Sequence, residues 1–171
     1  MPQVLRCTAK YRKLMGLPNA LKEPPPSTSA LGPWFANPLN VGRQRYLHFL
    51  SQTSLLPLLI PLRERSTAEQ RLQRTLRELL STLGVPPRLV EAEVAGLDTP
   101  FYAKTNDRST LGSMNDQAFL ARCDLAADPP ETLWEVMARL SETPCGPKEY
   151  RFPQEVAPKL IRQRWGGPRG L

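Results

Sequence analysis

At 171 residues the chain is long enough for one domain with a real core, and 40% hydrophobic content supports one if the proline-rich pieces lie outside it. The formal net charge of +7 favours polyanionic partners or a soluble basic surface, and no run approaches the roughly 18 apolar residues that a membrane-spanning helix requires. Nineteen prolines point to abundant loops, and an N-terminus without a basic-then-apolar pattern makes the cytoplasm the default expectation.

Residues 3–7 read as a short apolar strand, after which Thr8 can cap a helix over 9–15 that Gly16 ends. Residues 17–33 form a loop whose stretch 22–33, with Pro24-Pro25-Pro26-Ser27-Thr28-Ser29, is too polar and proline-rich to pack. Residues 34–41 and 45–51 are expected to form a hairpin around Gly42-Arg43-Gln44, followed by an extended piece over 55–62. Alternation puts His48 on the strand face opposite Leu47 and Phe49, which favours a sheet-surface role over catalysis.

Thr67-Ala68-Glu69-Gln70 fits a capping box, and Leu72, Leu76, Leu79, Leu80 and Leu83 mark the helix behind it, which Gly84 stops. Arg71, Arg74 and Arg77 line the other face, either as a solvated face with Glu69 and Glu78 for pairing or as a stripe that meets phosphates. Pro86-Pro87 opens a short helix carrying Leu89, Val90, Val94 and Leu97. A strand over 100–105 then enters a polar turn. Leu111, Met114, Ala118, Ala121 and Leu125 share one face of a helix over about 109–125. Leu133, Val136, Met137 and Leu140, after Pro129-Pro130, mark a last amphipathic helix, on which Trp134 is expected in or beside the core. From Pro144 onward six basic residues stand against two acidic ones, so the end of the chain holds more than half of the net charge. Residues 150–153 are expected to dock on the domain and 165–171 to fray. There is no internal repeat.

The densest chemistry lies in Lys104-Thr105-Asn106-Asp107-Arg108-Ser109-Thr110-Leu111-Gly112-Ser113-Met114-Asn115-Asp116, around one expected helix start. In one reading, a strand-to-helix junction offers free backbone N–H groups, a positive dipole end and Arg108 to a phosphate or carboxylate, with Asp107 and Asp116 orienting the guanidinium or binding a cation. In the other, Asn106, Asp107 and Ser109 make a turn and cap, Arg108 pairs with an acid, and Asn115 and Asp116 satisfy buried backbone groups. Ser109 or Ser113 is the expected cap, Ser113 with Asp116 three residues on. Gly112 permits a close approach or a kink.

Together with Val4-Leu5-Arg6-Cys7-Thr8-Ala9-Lys10 and with Trp34-Phe35-Ala36-Asn37 before Arg43-Gln44-Arg45, this motif resembles a family of small bacterial proteins known only as a domain of unknown function. Its members read R-C-T-K-K-L, W-Y-A-N-L and T-N-D-R-S-V-L-G-S-M-N-D-F in the same order. The likeness runs from about residue 4 to about residue 153. The chain departs at Ala9, at Pro38 and at Gln117, where the family has a Lys-like residue, no proline and an aromatic; Pro38 removes a ladder donor and is expected to shorten or bend its strand. The resemblance implies a whole-chain domain and no assigned activity.

Cys7, Cys123 and Cys145 match no zinc or redox spacing and read as reduced thiols, and a single histidine excludes histidine-rich zinc sites. The expected fold is a single α+β domain over 1–153, a small mainly antiparallel sheet covered by four or five helices, with a basic tail over 154–171. The expected function is a binding module for nucleic acid or a phosphorylated ligand, using Asn106, Arg108, Ser109, Asn115 and Asp116 with Asn37 and Arg45 as neighbours; no cofactor is implied. The alternatives are a metal-dependent phosphodiester-cleaving enzyme with Asp107 or Asp116 as ligand or base, and a protein-interaction module.

Overall fold

The computed structural model describes residues 3–144 and 152–167. Among them five strands, β1 (Val4–Cys7), β2 (Trp34–Val41), β3 (Gln44–Ser51), β4 (Pro57–Pro61) and β5 (Phe101–Lys104), form one sheet in the order β4-β3-β2-β1-β5. Among the described residues six α-helices accompany it: α1 (Ala9–Met15), α2 (Ala68–Thr82), α3 (Pro87–Val94), α4 (Arg108–Leu125), α5 (Leu133–Glu142) and α6 (Pro153–Trp165). The α+β class stands. The sheet is mixed instead of mainly antiparallel, because β1 runs parallel to both β2 and β5, while β2–β3 and β3–β4 are antiparallel.

The hairpin forms as its two β-rich runs dictate, with Gly42 at φ +57° supplying the left-handed residue that a tight turn between twisted strands needs. Pro38 does not interrupt β2, whose pairing with β3 runs unbroken from Trp34 to Val41. The Ala36 carbonyl accepts the Thr8 N–H, so strand alternation turns the Pro38 nitrogen to the same side, beyond the end of β1, where the ladder asks for no donor.

Residues paired across strands share a face. Leu5, Cys7, Trp34, Ala36, Phe49 and Leu58 occupy one face, where the Tyr11 ring of α1 meets Phe49 edge-on at 6.0 Å and Glu69 of α2 accepts the Tyr102 hydroxyl. Phe35, Leu50 and His48 lie on the other, against Met114 and Gln117 of α4. His48 is therefore in a strand and opposite Leu47 and Phe49 as expected, but it is buried, not at the sheet surface, because α4 covers its face. α5 covers the free edge of β4, where the Leu59 N–H points at Met137 Sδ, 3.4 Å away. Trp134 stays exposed on α5.

Two helix starts differ from expectation. A 3-10 segment, Leu62–Thr67, precedes α2, and Thr67 makes no side-chain cap; its hydroxyl donates to the Glu64 carbonyl instead. The stretch expected as a basic tail carries α6, with Ala157, Pro158 and Ile161 buried against the rest of the fold. Glu93 of α3 fastens that helix: its buried carboxylate accepts the Ala30 and Leu31 N–H groups, each at 2.9 Å, and the Trp165 indole N–H at 2.7 Å. One side chain thus ties the proline-rich loop, α3 and α6 together. Tyr150, Arg151, Cys145 and residues 168–171 lie outside the described residues; of the stretch 165–171 that was expected to fray, Trp165 instead closes α6 and donates its indole N–H to Glu93.

Candidate functional site

The 104–116 motif separates into parts. Asp107, not Ser109 or Ser113, is the N-cap of α4: its carboxylate accepts the Ser109 N–H at 3.0 Å, the Thr110 hydroxyl at 2.6 Å and the Gln52 amide at 3.3 Å. Those donors hold the Asp107 carboxyl below the usual carboxylate range, the Thr110 hydroxyl contributing most. Ser113 and Asp116 fall inside the helix, so the capping pair expected of them does not form, and Gly112 lies in the same helix facing open space. Asn106, Arg108, Ser109, Asn115 and Asp116 are exposed. Asn37 is half-buried on β2, where its Oδ1 accepts the Thr8 hydroxyl at 2.7 Å. Replacing Asp107 by Ala is expected to cost about 1 kcal/mol, as loss of a side-chain cap does, whereas Asp116→Asn should leave the urea midpoint unchanged.

The arginine stripe of α2 is committed to acids: Arg71 lies 3.7 Å from Glu64, Arg74 3.2 Å from Glu78 and Arg77 2.7 Å from Glu91. That is the solvated-face reading, with Glu64 and Glu91 as partners that the helix period alone does not reveal. Among the described residues no ion pair engages Arg43, Arg45, Arg63 or Arg65, and these four line one open cleft of about 630 Å³. Arg43 and Arg45 come from the β2–β3 turn, Arg63 and Arg65 from the 3-10 segment after β4, and the register Tyr46↔Pro61 sets the two sources side by side. Tyr46, Pro61, Leu62, Leu125 and Leu133 give the cleft apolar walls. Its one acid, Glu131, is turned to Arg139, which also pairs with Asp124 at 3.2 Å. Among the candidate residues named from the sequence, Arg45 alone lines this cleft. Arg63 and Arg65 had a sequence signal only in hindsight: an Arg-Glu-Arg run directly after a strand that pairs with a basic hairpin.

His48 and Gln117 form the other polar contact of note, with His48 Nε2 3.2 Å from Gln117 Oε1 inside the α4 interface. The Gln117 amide also donates to the Leu55 carbonyl at 2.8 Å, and Leu55 has φ +60°, a left-handed conformation that a branched side chain resists. Gln117 thus supports the β3–β4 turn. Among the described residues no cluster of three or more His, Cys, Asp or Glu side chains is arranged to hold a metal ion, and no helix is long and apolar enough to cross a membrane. Cys7 is a buried free thiol, pushed up to about 12 by burial, and Cys123 is free and exposed.

Fold and site define an α+β protein built on one mixed sheet, with an arginine-lined cleft at its hairpin end. The chain belongs to the family described as Domain of unknown function (DUF6933), whose family model matches residues 4–156. Comparison with curated proteins and with solved structures finds no match.

Proposed function

We propose that this domain binds nucleic acid or a phosphorylated ligand through the cleft of Arg43, Arg45, Arg63 and Arg65. The observation that carries the reading is the grouping around one concavity of four guanidiniums that have no carboxylate partner among the described residues, while the arginines of α2 are already paired. Guanidinium groups match phosphate oxygens in a two-pronged geometry, and each phosphate they neutralise releases counterions. Apolar walls that include Tyr46 suit the base or carbon part of such a ligand.

The test is fluorescence anisotropy with a labelled mixed-sequence single-stranded oligonucleotide and with inorganic triphosphate as competitor. The oligonucleotide affinity is expected to fall steeply with salt. The double variant Arg45→Ala, Arg63→Ala should bind at least tenfold more weakly and lower the salt slope by about one to two, about one for each phosphate-contacting cation removed, whereas Arg74→Ala should bind as the wild type does. Displacement by triphosphate at concentrations comparable to the oligonucleotide phosphates would favour a small phosphorylated ligand over an extended strand. Salt-independent binding, or equal affinity in the double variant, overturns the assignment to this cleft.

A further inference from the structure

The arginine cleft adjoins a second, smaller hollow of about 240 Å³, and Pro61 and Leu133 line both, so these two side chains form the divide between them. Trp134 lies one residue along α5 from that divide. It lines the second hollow with 42% of its surface in solvent, and Met137, three residues on and buried, lies beneath on the same side of the helix. The charges of the two hollows differ. In the second, Arg71 and Arg74 are each matched by an acid of the same rim, Glu64 at 3.7 Å and Glu78 at 3.2 Å, whereas the four arginines of the first have no carboxylate partner among the described residues. Phosphate is therefore drawn to the first hollow and not to the second.

An uncharged planar ring suits the second, because an indole face beside a methionine offers stacking and a polarisable floor without asking for charge. Its volume falls below the roughly 300–1,000 Å³ of a pocket for a drug-sized ligand, which leaves room for one ring system. A single strand of nucleic acid carries both chemistries in alternation, an anionic backbone and flat bases that stack on aromatic side chains. Tyr46 and Trp134 stand ready for them on either side of the divide. From this we infer that the ligand is single-stranded nucleic acid of more than one nucleotide, with its backbone on the four arginines and a base stacked on Trp134. The inference rests on the arginine cleft as the phosphate site. It adds the class of ligand, an extended strand instead of a lone phosphorylated molecule, and a stacking residue outside the cleft.

The experiment combines anisotropy of a labelled mixed-sequence single-stranded oligonucleotide with the tryptophan emission of the full chain. Trp34 is fully enclosed and the Trp165 indole is held by Glu93, so Trp134 is the solvent-facing reporter. The oligonucleotide is expected to quench the emission, and inorganic triphosphate, which has no base, is not. Trp134→Ala should bind the oligonucleotide at least fivefold more weakly, the scale of one lost base–aromatic stack. Its salt slope and its affinity for triphosphate should equal those of the wild type, since no phosphate contact is removed. Trp134→Phe should keep most of the affinity and lose the quenching. A duplex of the same sequence should bind more weakly than the single strand, because pairing hides the faces of the bases. Wild-type affinity in Trp134→Ala, with the Arg45→Ala, Arg63→Ala variant still weakened, overturns the stacked strand and leaves the cleft as a phosphate site. Wild-type affinity in that double variant overturns the cleft and the strand together. An equal loss of triphosphate affinity in Trp134→Ala would put the effect in the first hollow and overturn the stacking.

Discussion

Glu93→Ala is expected to lower the unfolding free energy by about 3 kcal/mol, because it strands three neutral donors at once and a buried donor without an acceptor costs about 1–3 kcal/mol. The substitution leaves the buried Leu31 N–H and the half-buried Ala30 N–H and Trp165 indole N–H without their acceptor. Urea unfolding measures the loss, and the emission of Trp165 should shift to the red as α6 loosens. Glu93→Gln keeps one oxygen for these donors but sets an amide N–H₂ against another, so about 1–3 kcal/mol is expected. Burial pushes the Glu93 carboxyl above the usual range, with the indole and the two backbone donors pulling the other way. A folded pKa above the unfolded one means that the folded state holds the proton more tightly. The stability this gives is complete below the ordinary carboxylate pKa and is lost as the pH rises through the folded value. Glu93→Gln should remove that part of the pH dependence, and an unchanged slope in the variant would refute the account.

What was legible in the sequence follows from which physical signals are local. The leucines of α2 and the apolar positions of α3 and α5 repeat at the helical period, and Gly42 between two β-rich runs announces a hairpin; each signal is complete within a few residues. Strand direction is not local. Alternation in β1 and β5 is the same for either direction, and their pairing joins residues about a hundred positions apart, so the parallel rungs had no signature. Covering is not local either: the pattern around His48 gives its face but not the helix that lies over it. α6 was hidden by composition, since Pro153, Pro158 and the basic residues outweighed Val156, Ala157, Leu160 and Ile161; Pro153 at the first turn is where a helix accepts proline. At the motif, Asp107 and Ser113 were both chemically fit to cap, and the chain turns helical at the earlier one. The arginine cleft joins Arg43 and Arg45 to Arg63 and Arg65 only because β4 folds back on β3.

The single histidine turns the α4 interface into a measurable acid sensitivity. His48 is fully enclosed between the sheet and α4, and its ring contacts Gln117 Oε1. Because the Gln117 amide nitrogen is engaged by the Leu55 carbonyl, the oxygen faces the ring, so Nε2 is the protonated nitrogen and donates. Burial lowers the imidazole to about 4, with the Gln117 contact acting to raise it and Arg122 to lower it. In the unfolded chain the ring titrates near its model value of 6.5. The unfolded state therefore binds a proton first as the pH falls. The stability attached to a neutral His48 is complete above pH about 6.5, drains away between there and pH about 4, and is constant below, with a total loss of about 3 kcal/mol. Carboxylates titrate in the lower part of this window, so the measurement is the difference in urea stability between the wild type and His48→Gln, whose amide can still donate to Gln117, from pH 4 to pH 8. That difference should narrow by about 3 kcal/mol toward the acid end, and the one histidine ring in the NMR spectrum should titrate near pH 4 while the protein remains folded. A ring that titrates near 6.5 in the folded protein, or a difference that does not change with pH, would mean that α4 does not seal this face of the sheet.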